Sequence, residues 1–314
     1  QVGIWRRELT PEVLESAYNG KRIDLTDNCS QCGTGFKPGC KCKVPAGSGL
    51  TELALEIDRP ELYQAYLGSS LTEFSQKYAG KCIGICSSII LEHGVPDRLY
   101  IGNQFCHLLF PERKLLFEII EKAAAEQVEI TLVFSYIREY MLDYVTELLD
   151  EINQWCEEKR QTVEVVVNDW GMASLVKKGR RNLIPSLGIL LNKRKKDPRV
   201  SFKKGEQKWL EMNSLNAGFY RNFLEREYGI QRFEWESCGY EQQIPPETGE
   251  RGRQKFAKKC PGYCAEYAFL YPEHLHMIGR YNSLFGIDMR ILKEEEILKN
   301  YIQNGVDRVV IRTW

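Results

Sequence analysis

The sequence predicts an α/β fold: a TIM-type (β/α) barrel, irregularities allowed, over residues 81–314, preceded by a cysteine-rich extension over 1–80. Three observations carry this. From about residue 80, short runs of β-branched residues alternate with helix-length stretches, the mark of a parallel sheet covered on both faces. Seven or eight such units fit a closed ring better than an open sheet, and a chain of 314 residues accommodates a barrel of roughly 250 residues with an extension.

In chain order, Thr10 and Pro11 form a helix start ahead of EVLESAYNG, with Thr as cap and Pro at the first helical position. A cysteine-rich stretch follows, then a turn at PAGSG. LTELALEIDRPELYQAYLGSSLTEFSQKYAG reads as one or two helices broken near Pro60. The repeating part begins with strand RLYIG (98–102), a helix from Pro111 to Glu126, strand VEITLVF (128–134) and a long helix ending near Lys159. Strand TVEVVVND (162–169), a short helix from Trp170 and strand NLIPSLGI (182–189) come next. Then follow a strand near KWLEMN, a helix from Asn216 to Tyr228 and strand QRFEWE (231–236). A cysteine loop, a β-rich region through HMIGRYN, the helix ILKEEEILKNYIQNG and a last strand VDRVVIR complete the chain.

Composition narrows the function classes. Hydrophobic residues make up 43% and aromatic residues 11%, enough for a packed core, and Lys plus Arg balance Asp plus Glu at 43 each. No apolar run approaches the ~20 residues of a membrane helix, and QVGIWRRELT lacks the apolar core of a secretory signal. Eleven cysteines without such a signal predict metal ligands or catalysts in a reducing cytoplasm rather than a disulfide framework.

The thiols cluster. Cys29, Cys32, Cys40 and Cys42 follow C-x2-C-x7-C-x-C, with Gly33, Gly35, Pro38 and Gly39 letting the backbone fold tightly around a small centre. The spacing matches neither a standard zinc finger nor a ferredoxin run. Zinc, a second iron-sulfur cluster and unligated or disulfide-paired thiols all stay open there. Cys82 and Cys86 sit in an apolar stretch, GKCIGICSSII, where core packing competes with ligation of a second centre, and Cys156 on an amphipathic helix reads as structural. Between Glu234 and Cys264 a long loop separates Cys238 from the C-x3-C pair Cys260 and Cys264, a set that soft metals or iron-sulfur clusters select.

Barrels of this type gather function at the carboxyl ends of their strands. That rule places Cys106 after strand 98–102, Asn168 and Asp169 at the end of strand 162–169, and Cys238 after strand 231–236 on one rim. Glu234 and Glu236 alternate with Phe233 and Trp235, so the two carboxylates share a face. Glu234 and Asp169 are candidates for proton handling beside a poorly solvated centre. Against this stand an ion pair with an Arg for Glu234, and for Asn168 and Asp169 a helix cap ahead of Trp170.

Several of these stretches together resemble a known family. IGNQFC, ending at Cys106, is similar to the "YLGETVC" motif of the collagenase-like peptidase family, family thirty-two of unassigned catalytic type. VVNDWG (166–171) resembles its "VNDLG" strand end, FEWESCG (233–239) its "EVFVHG" strand and VDRVVIR its "aGVDxLRI" strand. Cys260 and Cys264 resemble the pair that closes its metal motif. The resemblance covers about residues 98–312. It departs at Cys238, which stands immediately before Gly239, whereas in the relatives the second cysteine lies a few residues beyond that Gly.

Despite the family's name, several members look like oxygen-independent hydroxylases, including paired subunits acting on ubiquinone precursors and proteins needed for tRNA and ribosomal RNA hydroxylation. The resemblance implies a 4Fe-4S cluster on Cys106, Cys238, Cys260 and Cys264, prephenate as oxygen donor, and a related partner subunit. The expected function is therefore an iron-sulfur redox enzyme of the hydroxylase type acting on an aromatic ring, nucleobase or peptide. Peptidase activity and an RNA-modification accessory role with a structural cluster are the alternatives. For the peptidase the sequence shows no G-x-S-x-G, no H-E-x-x-H and no evident Cys and His pairing among His93, His107, His274 and His276.

A basic run stands apart. Lys177, Lys178, Arg180, Arg181, Lys193, Arg194, Lys195, Lys196, Arg199, Lys203 and Lys204 face Asp197 alone. It is either a solvated face or an anion-binding patch for a phosphate-bearing partner such as RNA.

Overall fold

The structure is a computed structural model that describes residues 2–6, 52–79, 88–192, 214–236, 268–270, 277–280, 283–286, 295–303 and 306–312. Cys29, Cys32, Cys40, Cys42, Cys82, Cys86, Cys238, Cys260 and Cys264 lie outside the described residues. So do Lys193 to Lys196, His274, His276, the helix start at Thr10 and the strand expected near KWLEMN.

Seven parallel strands form a curled sheet: β2 (Glu52–Ile57), β3 (Arg98–Gly102), β4 (Glu129–Val133), β5 (Val163–Val167), β6 (Leu183–Leu187) and β7 (Arg232–Glu236) in sequence, with β11 (Val306–Arg312) beside β2. The remaining gap is filled by β1 (Val2–Arg6), antiparallel to both β7 and β11, which closes the ring. An antiparallel stave departs from the all-parallel TIM pattern, while the parallel β/α alternation matches the expectation. Strands β8 (Ala268–Leu270), β9 (Met277–Arg280) and β10 (Ser283–Gly286) form a separate antiparallel sheet in the region read as β-rich.

The helices are α1 (Pro60–Leu67), α2 (Leu71–Tyr78), α3 (Ser88–His93), α4 (Arg113–Ala125), α5 (Leu142–Lys159), α6 (Trp170–Lys177), α7 (Gly218–Tyr228) and α8 (Glu295–Gln303). Their starts follow local chemistry. Pro60 opens α1, Ser70 and Glu73 make a reciprocal capping box for α2, and Gly229 ends α7 in the left-handed region. Among the described residues no helix is long and apolar enough to cross a membrane.

The proposed boundary at residue 80 does not mark where the barrel begins, because β1 and β2 are barrel strands. ELALEI consists of good helix formers, yet it is held between β11 and β3, with Leu53 to Ile57 buried on both faces. Tertiary burial has overridden local propensity there.

Side chains alternate between two cores. Leu55, Ile101, Leu132, Val165 and Ile311 point outward under the helices, while Ala54, Tyr100, Val133, Val166 and Val310 pack together in the lumen. At the amino end of the lumen an ionic network replaces apolar filling. Arg308, only 1% exposed, donates to Glu52, to Glu164 at 2.7 Å and to the Tyr100 hydroxyl at 2.8 Å. Arg98 adds bonds to Glu52 at 3.1 and 3.2 Å and to Thr131 at 3.1 Å, and Arg232 grips Asp307 at 2.9 Å. Burial works against the Arg308 charge, but Tyr100 and the carboxylates of Glu164 and Glu52 outweigh it and raise its pKa. Burial alone would likewise raise the Glu52 carboxyl, yet Arg308 and then Arg98 prevail and hold it at about 2.

Two outcomes follow from this network. Arg308→Ala removes the guanidinium shared by Glu52 and the buried Glu164 and lowers stability by about 3–5 kcal/mol, read as a fall in the urea midpoint. Because the folded Glu52 value lies below the ordinary 4.5, its contribution is complete above that pH and is lost as pH falls towards 2. With Glu52 part-exposed, this is on the order of 2 kcal/mol, and Glu52→Gln flattens that part of the urea-measured pH profile.

Candidate active site at the carboxyl ends of the strands

The parallel strands bring Asp58, Asn103, Gln104, Cys106, Ser135, Asn168 and Asn192 to one end of the barrel, all buried at or just past strand ends. Glu234, inward on β7, and Glu56 on β2 are buried beneath them.

The β3 turn is built by two residues. Gly102 has φ +121°, and a Cβ there would stand 2.3 Å from the Val133 carbonyl oxygen and 2.8 Å from the Phe110 ring, so only Gly fits. Asn103 then accepts from the backbone N–H groups of Phe105 and Cys106, each at 2.9 Å, and donates to the Asp58 carbonyl at 3.2 Å. Cys106 is thereby fixed, buried, at the entrance to a 3-10 turn (His107–Leu109).

Asn168 and Asp169 are held by the backbone around them. Asn168 donates to the Phe134 carbonyl at 2.8 Å and accepts from Leu190 N–H at 3.2 Å, tying β4 to the β6 turn. Asp169 caps α6 through Met172 N–H and holds Ile137 N–H with its other oxygen, both at 2.8 Å. The helix-cap alternative is therefore the role the geometry gives Asp169. Glu234 accepts from Ile189 N–H at 3.3 Å, while Asn192 donates to the Glu234 carbonyl at 3.0 Å, which pins the β6 turn over β7. Glu234 also acts electrostatically on Tyr100, whose phenol burial above all pushes well up.

Around this core the rim is aromatic. His107 Nε2 lies 2.8 Å from the Tyr140 hydroxyl, and burial, then Arg138, lowers the imidazole pKa. Tyr136 follows β4, its phenol raised by burial and then by Asp169.

The basic run divides. Lys177 donates to the Arg226 and Glu227 carbonyls at the end of α7, and the buried Arg180 bonds the Thr146 carbonyl at 3.2 Å and Asp150 at 2.8 Å. Those two are structural, and Lys178 and Arg181, like Lys177, are exposed. All four lie between α6 and the amino end of β6, at the opposite end of the barrel from the candidate site. An anion in the mouth would not meet them.

Of the expected cluster ligands, the described residues contain Cys106 alone, and among them no group of three or more His, Cys, Asp or Glu could hold a metal ion. Cys156 is buried on α5, its thiol pushed up to about 12 by burial, consistent with a structural role. Asp58, Asn103, Gln104, Ser135 and Asn192 were not singled out by the sequence. The strand-end rule would have found Asn103 and Ser135, whereas Asp58 was hidden by the helical reading of β2.

No protein family, curated protein or solved structure matches the chain.

A Cβ at Gly188 would stand 2.2 Å from Asn168 Oδ1. Gly188→Ala therefore costs about 1–3 kcal/mol in urea unfolding, and the double variant with Asn168→Ala costs less than the sum of the singles because the clash is removed.

Proposed function

We propose that the chain is an iron-sulfur redox enzyme of the oxygen-independent hydroxylase type, with Cys106, Cys238, Cys260 and Cys264 as ligands of a 4Fe-4S cluster at the barrel mouth. The observation that supports it best is Cys106 itself, buried on a turn fixed by Gly102 and Asn103 at the carboxyl end of β3. Cys238 follows β7 by two residues in the chain, and β7 ends at the same mouth. When bound, such a cluster supplies one-electron transfer, with burial and charge setting its potential. The residues of this chain would then hold substrate and proton. Glu234 is the proton carrier, being inward and buried, while Asp169 and Asn168 position the α6 and β6 turns. Prephenate as oxygen donor and a related partner subunit belong to this proposal through the resemblance alone. The N-terminal cysteines are assigned to zinc or to a second cluster in the same reading.

A second reading, an RNA-directed one, is favoured by the surface of α6 and α7. Trp170, Phe219 and Phe223 are 38%, 65% and 41% exposed, and Trp170 contacts Tyr220, Phe223 and Tyr228 ring to ring. Exposed rings of this kind offer the stacking platform that single-stranded nucleic acid uses.

Anaerobic purification with iron and sulfide analysis tests the first reading. About four irons per chain are expected for one cluster and about eight for two, and Cys260→Ala abolishes the mouth signal in electron paramagnetic resonance. A colourless, iron-free protein after reconstitution overturns it. For RNA, fluorescence anisotropy with an oligouridine should show affinity falling steeply as salt rises, and Phe223→Ala should weaken it; a flat salt dependence removes RNA.

A further inference from the structure

One polar side chain of the barrel mouth keeps a fully buried atom without a hydrogen-bond partner. Asn103, Asn168 and Asn192 each bond backbone groups of neighbouring turns. Gln104, only 5% exposed, leaves its Oε1 buried and without a hydrogen-bond partner. The other atoms in that condition among the described residues are donor nitrogens: Nε of Arg113, Arg180, Arg221 and Arg232, and Nε2 of Gln161. Those four guanidinium groups bond through their other nitrogens. Gln104 thus supplies the one orphaned, fully buried side-chain acceptor among the described residues.

The backbone cannot swing to relieve it. On one side Gly102 is wedged between the Val133 carbonyl and the Phe110 ring, and on the other Asn103 clamps the N–H groups of Phe105 and Cys106. A buried acceptor left unpaired carries its full desolvation cost, and folds retain such groups where a ligand completes them. The turn fixes the backbone that carries this amide before any ligand arrives, which favours a preorganised binding group.

We propose that Gln104 is a ligand-binding residue of the barrel mouth, its Oε1 accepting a hydrogen bond from an N–H group of the ligand. A carboxamide carries a donor beside its acceptor, so the class it fits is a molecule that offers the same pair in reverse: another carboxamide, or the edge of a nucleobase. The inference concerns the same mouth as the redox proposal but rests on no cluster. Iron-free protein would overturn that reading and leave this one standing.

Benzamide and benzoate form a matched probe pair, since the second lacks the N–H. With the anaerobically purified full chain, benzamide is expected to give a saturable calorimetric or saturation-transfer signal at millimolar concentration, and benzoate at least about tenfold weaker binding. Gln104→Met should reduce benzamide binding about tenfold while leaving the unliganded unfolding midpoint unchanged or a few degrees higher, because it removes the orphan. Equal binding of the two probes, no benzamide binding by the unaltered protein, or a lower midpoint for Gln104→Met would each overturn the proposal, the last by showing a structural role.

Discussion

A single guanidinium, that of Arg308, ties four of the parallel strands together inside the lumen. It comes from the last strand and reaches Glu52 on β2, Glu164 on β5 and Tyr100 on β3, across the lumen rather than along it. A buried positive charge is intolerable without such partners, so the ring has few ways to close. Sliding β11 by one residue would turn Arg308 out among the helices and bring Val309 into a charged lumen. The network therefore fixes register as well as contributing stability.

The two halves of the lumen obey different rules. At the amino end, Glu52, Arg98, Thr131, Glu164 and Arg308 satisfy one another through side chains. At the carboxyl end, Asn103, Asn168, Asp169 and Asn192 are turned onto backbone groups and hold loops in position. The first arrangement locks a core. The second builds a stable frame around Cys106, Gln104 and Glu234, so the groups proposed to act are held by neighbours that do not act. A barrel with this division can alter its mouth without losing its base.

Much of this was legible before any coordinates. Strands such as VEVVV announce themselves because both faces are buried, and RLYIG and VDRVVIR fall at the expected residues. Asp169 as a cap was open to reading because capping depends on the residues that immediately follow it. The strand-end rule put Cys106 on the rim. What could not be read was anything set by distant partners. ELALEI is a strand because of β3 and β11, the antiparallel β1 is fixed by neighbours more than two hundred residues away in sequence, and the fate of Arg180 depends on α5. The basic run looked uniform as text, and packing then divided it into helix-end clamps and exposed charges.

The direction of β1 carries a last consequence. Because it runs against its neighbours, its final residue Arg6 lies opposite Phe233 and Val306, near the amino ends of β7 and β11, and Glu52 opens β2 at that same end. Residues 7–51, which carry Cys29 to Cys42, are thus anchored by both flanks to the pole away from the mouth. Cys238, by contrast, is attached to β7 at the mouth itself. The chain therefore enters and leaves segment 7–51 at one pole of the barrel and leaves β7 at the other, so altering one anchor point leaves the other in place.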